Sequence, residues 1–161
     1  MTEPRLPERL YLDFDSFFAS AEQHFNPDLR GKPLGVVALD SPHTGCIAVS
    51  REAKTRGVKT NMPAREARKI IPDMVFVVAR PDVYVRLHER ILAVIETVLP
   101  IQFVRSIDEV VCALLPSEGK QGLALATRIM AATLAKSSVG AMPIEQVSTG
   151  LNASNTAALL R

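Results

Sequence analysis

The chain has 161 residues, of which 47% are apolar and 22% charged, with a formal net charge of +2. This length suits one domain with a small inserted lobe, and the composition is ordinary for a globular protein. It contains no run of about 18 apolar residues, and its first residues lack the apolar core of a secretory signal, so neither a membrane span nor secretion is expected. Cys46 and Cys112 have no metal-binding spacing and are predicted to be buried, reduced thiols of a cytoplasmic protein.

Hydrophobic periodicity and helix breakers predict strands and helices along the whole chain. The predicted strands are 9–13, 34–39, 46–50, 74–78, 101–106, 109–115 and 144–150. The predicted helices are about 16–25 (capped by Asp15 or Ser16), 51–55, 63–70, 83–99, 123–135 and one within 153–160. Helix 83–99 has a clear apolar stripe and ends before Pro100. In helix 123–135 the predicted stripe is Leu123, Ala126, Met130 and Leu134.

The order of these elements predicts a fold class. Without residues 17–78, the order is strand, helix, strand, strand, helix, strand. This is the order of a ferredoxin-like βαββαβ sheet, so we expect an α+β fold with a small α/β subdomain inserted after the first strand. Right-handed crossovers make the first and third strands antiparallel neighbours in the centre. Asp13, which ends the first strand, is then expected beside Asp108 and Glu109 at the start of the third.

Three carboxylates crowded at one sheet edge repel one another unless a cation compensates. Mg²⁺ takes carboxylates, water and substrate phosphates as ligands, and two ions about 3.5–4 Å apart serve phosphoryl transfer. The Phe14 carbonyl is a candidate further ligand. An Asp-x-Asp motif alone is more typical of a helix cap at a strand end, but its pairing with Asp108 and Glu109 at the matching hairpin favours a metal site. The three histidines share no ligand spacing.

Basic residues are concentrated between positions 51 and 69. Seven stand there against two acidic residues, a net charge of +5, so the remainder carries about −3. This distribution suggests a polyanion bound at one place, although on charge alone a solvated helical surface is favoured. The basic residues are Arg51, Lys54, Arg56, Lys59, Arg65, Arg68 and Lys69.

The chain contains DFDSFFAS at 13–20, NPDLRGKP at 26–33 and SIDE at 106–109. These three motifs in this order resemble the Y-family translesion DNA polymerases. The resemblance runs from about residue 10 to 111 and more faintly through 148–152. It implies a discontinuous palm of residues 1–16 and 79–161 and fingers of residues 17–78. The family's thumb and little-finger domains are absent from this chain, which is therefore expected to be a fragment of a longer protein or a truncated relative.

The resemblance also implies roles for single residues. Asp13, Asp108 and Glu109 are the implied catalytic residues, and together with the Phe14 carbonyl they are the implied ligands of two Mg²⁺ ions, for which Mn²⁺ can substitute. Phe18 holds the steric-gate position, where a ring under the sugar excludes ribonucleotides.

Phe17 and Phe18 are the implied dNTP contacts. Core packing is the alternative for both, and it is expected for the Phe17 side chain, which would point away from Phe18. In the fingers, residues 47–54 read IAVSREAK where the family usually has ATASYEAR. Arg51 and Lys54, one helical turn apart, are predicted to hold the triphosphate with altered geometry, because lysine lacks the bidentate fork of arginine.

The implied function is the catalytic core of a template-directed DNA polymerase for lesion bypass, in which a primer 3′-hydroxyl attacks a deoxynucleoside triphosphate. The implied partners are primer–template DNA, dNTP and, in a full-length form, a sliding clamp, with no membrane and a cytoplasmic, nucleoid-associated location of the bacterial type. One alternative is a non-catalytic DNA- or partner-binding module that keeps the fold. Another is a phosphatase with an aspartyl nucleophile at Asp13, a class that has a small residue where Phe17 stands.

Overall fold

A computed structural model of the chain describes residues 8–136, 144–151 and 155–158. The chain divides into two compact units, the first of Met1–Asp15 and Arg86–Arg161 and the second of Ser16–Val85. Both contain strands and helices, so the fold is α+β. Among the helices of the described residues, none has the length and apolar character needed to cross a membrane.

The elements largely follow the predicted order. They are β1 (Arg9–Phe14), α1 (Phe17–Phe25), a 3-10 helix (Pro27–Leu29), β2 (Leu34–Val37), β3 (Cys46–Val49), α2 (Arg51–Thr55), α3 (Ala64–Ile70), β4 (Val75–Val78), α4 (Pro81–Glu96), β5 (Ile101–Val104), β6 (Glu109–Ala113), α5 (Gly122–Lys136), β7 (Ile144–Leu151) and β8 (Asn155–Ala158).

The sheet of the first unit has five strands in the order β5-β6-β1-β7-β8. Strand β1 lies between β6 and β7 and is antiparallel to both. The predicted central pairing of the first strand with the strand that begins at Glu109 is therefore confirmed.

Alternating burial fixes which face of β1 each side chain occupies. Leu10, Leu12 and Phe14 are buried, whereas Tyr11 and Asp13 are half-buried. Burying one such apolar side chain stabilises the fold by about 1.5–3 kcal/mol, so a shift by one residue would expose the whole set. Asp13 is thereby held on the more open face of the sheet.

Two expectations for the first unit are wrong. Leu123, a member of the predicted stripe, is 47% exposed. Ala126 is buried as predicted, but Leu125 and Ile129 are buried with it. Apolar residues surround much of this helix, so its sequence allows more than one apolar stripe. The side chains of Met130 and Leu134 lie outside the described part of the chain.

The second error concerns the end of the chain, where a helix was predicted within 153–160. Asn155–Ala158 form strand β8, which pairs antiparallel with β7 from Leu151↔Asn155 to Ser148↔Ala158. The alanines favour a helix, but so short a helix is marginal without packing. The edge of β7 offers backbone hydrogen-bond partners, and this pairing overrides the local preference.

The second unit contains a three-stranded sheet of order β3-β2-β4. Strand β2 runs antiparallel to β3 and parallel to β4. The apolar core of this unit includes Cys46, Ala53, Ala67, Ile71 and Met74. Cys46 here and Cys112 in β6 are both buried and free, as predicted.

Candidate functional site

The predicted acidic residues of the first unit meet at one corner of its sheet. Asp13 of β1 and Glu109 of β6 are directly opposite each other. Residues so paired project from the same face with Cβ atoms about 4.5–5.5 Å apart. The backbone N–H of Phe14 donates to the carbonyl of Asp108 at 3.0 Å, which ties Asp108 to the same end of β1. We call Asp13, Asp108 and Glu109 the acidic corner.

Ser106 orders the hairpin that carries two of these acids. Its hydroxyl donates to Oδ1 of Asp108 at 2.6 Å and accepts from the backbone N–H of Glu109 at 3.1 Å. The turn closes where the N–H of Arg105 donates to the Glu109 carbonyl at 2.9 Å. In the sequence Ser106 stands out only as part of the SIDE motif, although a serine in a tight turn commonly bonds to the backbone nearby.

His88 also contacts this hairpin. Its Nδ1 lies 2.8 Å from the carbonyl oxygen of Ile107, the residue between Ser106 and Asp108. The imidazole is half-buried and is carried on α4. Sequence analysis assigned His88 no role, because nothing in its local pattern indicates a contact 19 residues away.

The acidic corner fits a hard divalent ion in its donor chemistry and its backbone placement. All its donors are oxygen atoms, which Mg²⁺ and Mn²⁺ prefer. The side chains do not converge as they stand: within the described ranges, no three His, Cys, Asp or Glu residues form a group that could hold a metal ion. The strand register already places Asp13 opposite Glu109. The carboxylates would therefore close around an ion by rotation of their side chains.

Asp15 and Ser16 link β1 to α1, and neither takes part in the acidic corner. Asp15 is only 2% exposed, unlike half-buried Asp13. Ser16 is the N-cap residue of α1, but its side chain makes no capping hydrogen bond, so the predicted cap is wrong for Ser16. The reason is its left-handed backbone, with φ of 49°, whereas a capping residue normally has extended φ and ψ. A non-glycine residue in this region is strained.

In the second unit, Phe17 and Phe18 occupy different environments. Phe17 is 3% exposed, so its side chain belongs to the core and only its backbone is available to a ligand. Phe18 is half-buried, and its ring stacks on that of Tyr84 with a centroid distance of 4.6 Å and an interplanar angle of 24°. The ring of Phe18, the predicted steric gate, is therefore packed against the ring of Tyr84.

Tyr84 belongs to a polar cluster that sequence analysis missed. The carboxylate of Glu22, buried at 3% exposure, accepts hydrogen bonds from Nε and Nη2 of Arg80 at 3.1 and 2.6 Å and from the hydroxyl of Tyr84 at 2.7 Å. Burial, with the hydrogen bond to Glu22, raises the pKa of the Tyr84 phenol. The hydrogen bonds to Glu22 raise the pKa of Arg80. We call Glu22, Arg80 and Tyr84 the Glu22 cluster.

The predicted triphosphate contacts, Arg51 and Lys54, both lie on α2 and are exposed. The helix start is fixed by Ser50, whose buried hydroxyl accepts from the N–H groups of Leu34 at 3.0 Å and Ala53 at 3.4 Å. Such a cap typically stabilises a helix start by about 1 kcal/mol. The one-turn spacing of Arg51 and Lys54 therefore rests on an anchored helix.

Part of the remaining basic charge is neutralised on the surface of this unit. Arg56 pairs with Asp73 at 3.8 Å, and Lys69 pairs with Glu66 at 3.0 Å. Arg68 lies over the ring of Phe76, 4.9 Å from its centroid. These contacts favour the solvated-surface interpretation for the end of the basic segment.

The chain is similar to known proteins over most of its length. The model of the impB/mucB/samB family matches residues 12–152. A DNA polymerase IV of Moorella thermoacetica is 41% identical over 102 residues, covering 62% of this chain and 26% of that protein. A DNA polymerase IV 2 of Agrobacterium fabrum is 34% identical over 146 residues, covering 90% of this chain and 38% of that protein.

Solved structures resemble the chain over a similar extent. The crystal structure of DinB from Sulfolobus solfataricus has a TM-score of 0.75 and 30% identity, covering 89% of this chain and 42% of that one. An insertion ternary complex of Dbh DNA polymerase has a TM-score of 0.73 and 31% identity, covering 88% and 42%. The chain thus spans less than half the length of each of these relatives.

Proposed function

The chain belongs to the impB/mucB/samB family, and on that premise we propose that it supplies the catalytic core of a lesion-bypass DNA polymerase. The resemblance of its motifs to Y-family polymerases is confirmed by this family match and by its structural neighbours. The proposed reaction is template-directed transfer of a nucleotide from dNTP to a primer 3′-hydroxyl. In this proposal residues 1–16 and 79–161 form the ferredoxin-like palm and residues 17–78 the fingers.

One observation carries the proposal. Asp13 lies opposite Glu109, and the carbonyl of Asp108 accepts a hydrogen bond from the N–H of Phe14, the residue after Asp13. In the proposal these three carboxylates hold two Mg²⁺ ions, with the Phe14 carbonyl as a further ligand and Mn²⁺ as a substitute. When bound, such ions activate an attacking oxygen and stabilise a leaving one. The residues of this chain keep the carboxylates at one sheet corner.

The nucleotide is proposed to contact residues of the second unit. Phe18, supported by the ring of Tyr84, is the steric gate that leaves no room for a ribose 2′-hydroxyl. The backbone N–H groups at the start of α1, including that of Phe17, are suited to triphosphate oxygens, and the Ser16 side chain does not cap them. Arg51 and Lys54 would supply positive charge to the same triphosphate.

The proposed partners follow from this reaction. Primer–template DNA and dNTP are the substrates, and the similar Dbh DNA polymerase structure is itself an insertion ternary complex. A longer form of the protein is proposed to bind a sliding clamp. Because the substrate is DNA, we propose a cytoplasmic, nucleoid-associated site of action.

A second candidate is the non-catalytic module that keeps the polymerase fold. Two observations favour it: the side chains of the acidic corner, all within the described ranges, do not converge on a common point, and residues 47–54 depart from the family pattern. The phosphatase interpretation has no such support, because the family match covers the Asp13 motif.

A Mn²⁺ titration separates the two candidates. Free Mn²⁺ is measured by electron paramagnetic resonance with the unsubstituted chain, with Asp13→Ala and with Asp108→Ala. Loss of binding in both variants is expected. Asp73→Ala is the matched control, because Asp73 is an exposed acid that pairs with Arg56 at 3.8 Å, and it should bind as the unsubstituted chain does. No binding by the unsubstituted chain at millimolar Mn²⁺ would contradict the catalytic proposal and favour the module.

A further inference from the structure

We propose that His88 is a positioning residue of the acidic corner. It holds the Ser106–Glu109 hairpin in the orientation that binds a divalent ion. This inference rests on the proposed function, because it assigns a role toward the ion that Asp108 and Glu109 would hold. The observation behind it is the 2.8 Å contact between Nδ1 of His88 and the carbonyl oxygen of Ile107.

This contact acts on the backbone immediately before Asp108. A carbonyl oxygen only accepts, so Nδ1 of His88 must carry the hydrogen. The Ile107 carbonyl belongs to the planar peptide group that joins Ile107 to Asp108, so the hydrogen bond fixes the orientation of that plane. This plane includes the Cα atom of Asp108, so the hydrogen bond restrains the atom from which the Asp108 side chain projects.

The peptide group on the other side of Asp108 is anchored as well. Its carbonyl accepts from the N–H of Phe14 at 3.0 Å. The Asp108 side chain is held by Ser106 at 2.6 Å. Three hydrogen bonds thus fix Asp108 and the peptide groups beside it. The one from Phe14 comes from the sheet, the one from Ser106 is local to the turn, and the one from His88 to Ile107 comes from a helix.

The His88 contact connects the hairpin to a helix that is anchored in the core. Leu87, next to His88, is fully buried, and Ile91 one turn later is 2% exposed, so α4 is anchored in the core on either side of the imidazole. The turn itself is short and largely exposed, with Ser106 and Glu109 both open to solvent. The local hydrogen bonds of the turn move together with it. A side chain on a fixed helix does not, so it can restrain the turn.

The test measures Mn²⁺ affinity in three variants. His88→Leu fills similar space without a donor, and it is expected to weaken binding by about 10-fold or more, as loss of a partner that orients metal ligands typically does. In His88→Asn the amide nitrogen stands where Nδ1 stood, so binding should stay close to that of the unsubstituted chain. His88→Gln places its amide one bond farther out and should resemble His88→Leu.

A second measurement does not depend on any substitution. Nitrogen-15 chemical shifts of the His88 ring, recorded where the imidazole is neutral, should show the hydrogen on Nδ1. A neutral ring with its hydrogen on Nε2 would overturn the inference.

The outcomes distinguish failure of this inference from failure of the proposed function. If Asp108→Ala abolishes Mn²⁺ binding but folded His88→Leu binds normally, His88 has no positioning role and the metal site stands. Equal weakening in His88→Asn and His88→Leu would also overturn the inference, because the restored donor would then have no effect. If the unsubstituted chain does not bind Mn²⁺, the proposed site and the role of His88 fall together.

Discussion

Replacing Glu22 by alanine should destabilise the second unit far more than replacing an exposed glutamate. Glu22 is 3% exposed and is the common acceptor for Arg80 and Tyr84. Its removal leaves the Tyr84 hydroxyl, on a side chain 2% exposed, without that acceptor. Because the Tyr84 ring also supports Phe18, the loss would extend to the proposed gate.

The magnitude follows from the two interactions that Glu22→Ala removes. A buried hydroxyl without a partner costs about 1–3 kcal/mol. The ion pair with Arg80 must be discounted, because that side chain is 47% exposed and water can solvate its charge again, so it is worth about 0–1 kcal/mol. The free energy of unfolding should therefore fall by about 1–4 kcal/mol.

Urea unfolding followed by far-ultraviolet circular dichroism measures this change through the midpoint and the slope m. Glu66→Ala is the matched control: Glu66 is a surface residue that pairs with Lys69 at 3.0 Å, and its loss should cost less than about 1 kcal/mol. Tyr84→Phe, made both in the unsubstituted chain and together with Glu22→Ala, isolates the hydroxyl's share. Equal midpoints for Glu22→Ala and Glu66→Ala, with equal m, would refute the reasoning that burial makes Glu22 different.

Two further predictions concern the proposed gate and a buried thiol. In a full-length form, Phe18→Ala should admit ribonucleotides in primer extension because the ring under the sugar is removed, and unchanged discrimination would remove the gate assignment. Burial raises the pKa of the Cys112 thiol from 9.0 to about 12. Above pH 9 the unfolded chain therefore loses this proton while the folded chain keeps it. Over that range the free energy of unfolding falls by up to about 1.4 kcal/mol per pH unit. Cys112→Val should lack this part of the decline in unfolding titrations from pH 9 upward, and identical slopes would contradict the argument.

The meeting of Asp13 and Glu109 was predictable because it depends on few choices. Leu10 and Leu12 mark a buried strand, the alternation continues to Asp13, and the handedness of crossovers limits which strand lies beside it. An error of a residue or two at strand ends does not alter this result. The predicted strands 101–106 and 109–115 are indeed shorter in the structure, yet the pairing is unchanged.

The contacts that were missed depend on side chains far apart in the chain. Glu22 lies 58 residues from Arg80 and 62 from Tyr84, and each of the three is locally typical of an exposed helix surface or helix start. The β8 strand was missed for a related reason, because its partner, β7, is a tertiary neighbour that the local preference of an alanine-rich segment cannot indicate. Periodicity shows which face of an element is buried, and it does not identify the polar partner that a buried carboxylate will find.

The acidic corner is hard to explain by stability alone. Like charges directly opposite each other in a sheet destabilise it, and Asp13 and Glu109 occupy such a pair. Ser106 holds Asp108, while Phe14 and His88 fix the two peptide groups beside it, so the backbone that carries Asp108 and Glu109 is held at this corner of the sheet. A register that places two carboxylates opposite each other is useful to the molecule when a cation enters between the charges, so this register favours the catalytic proposal over the binding module.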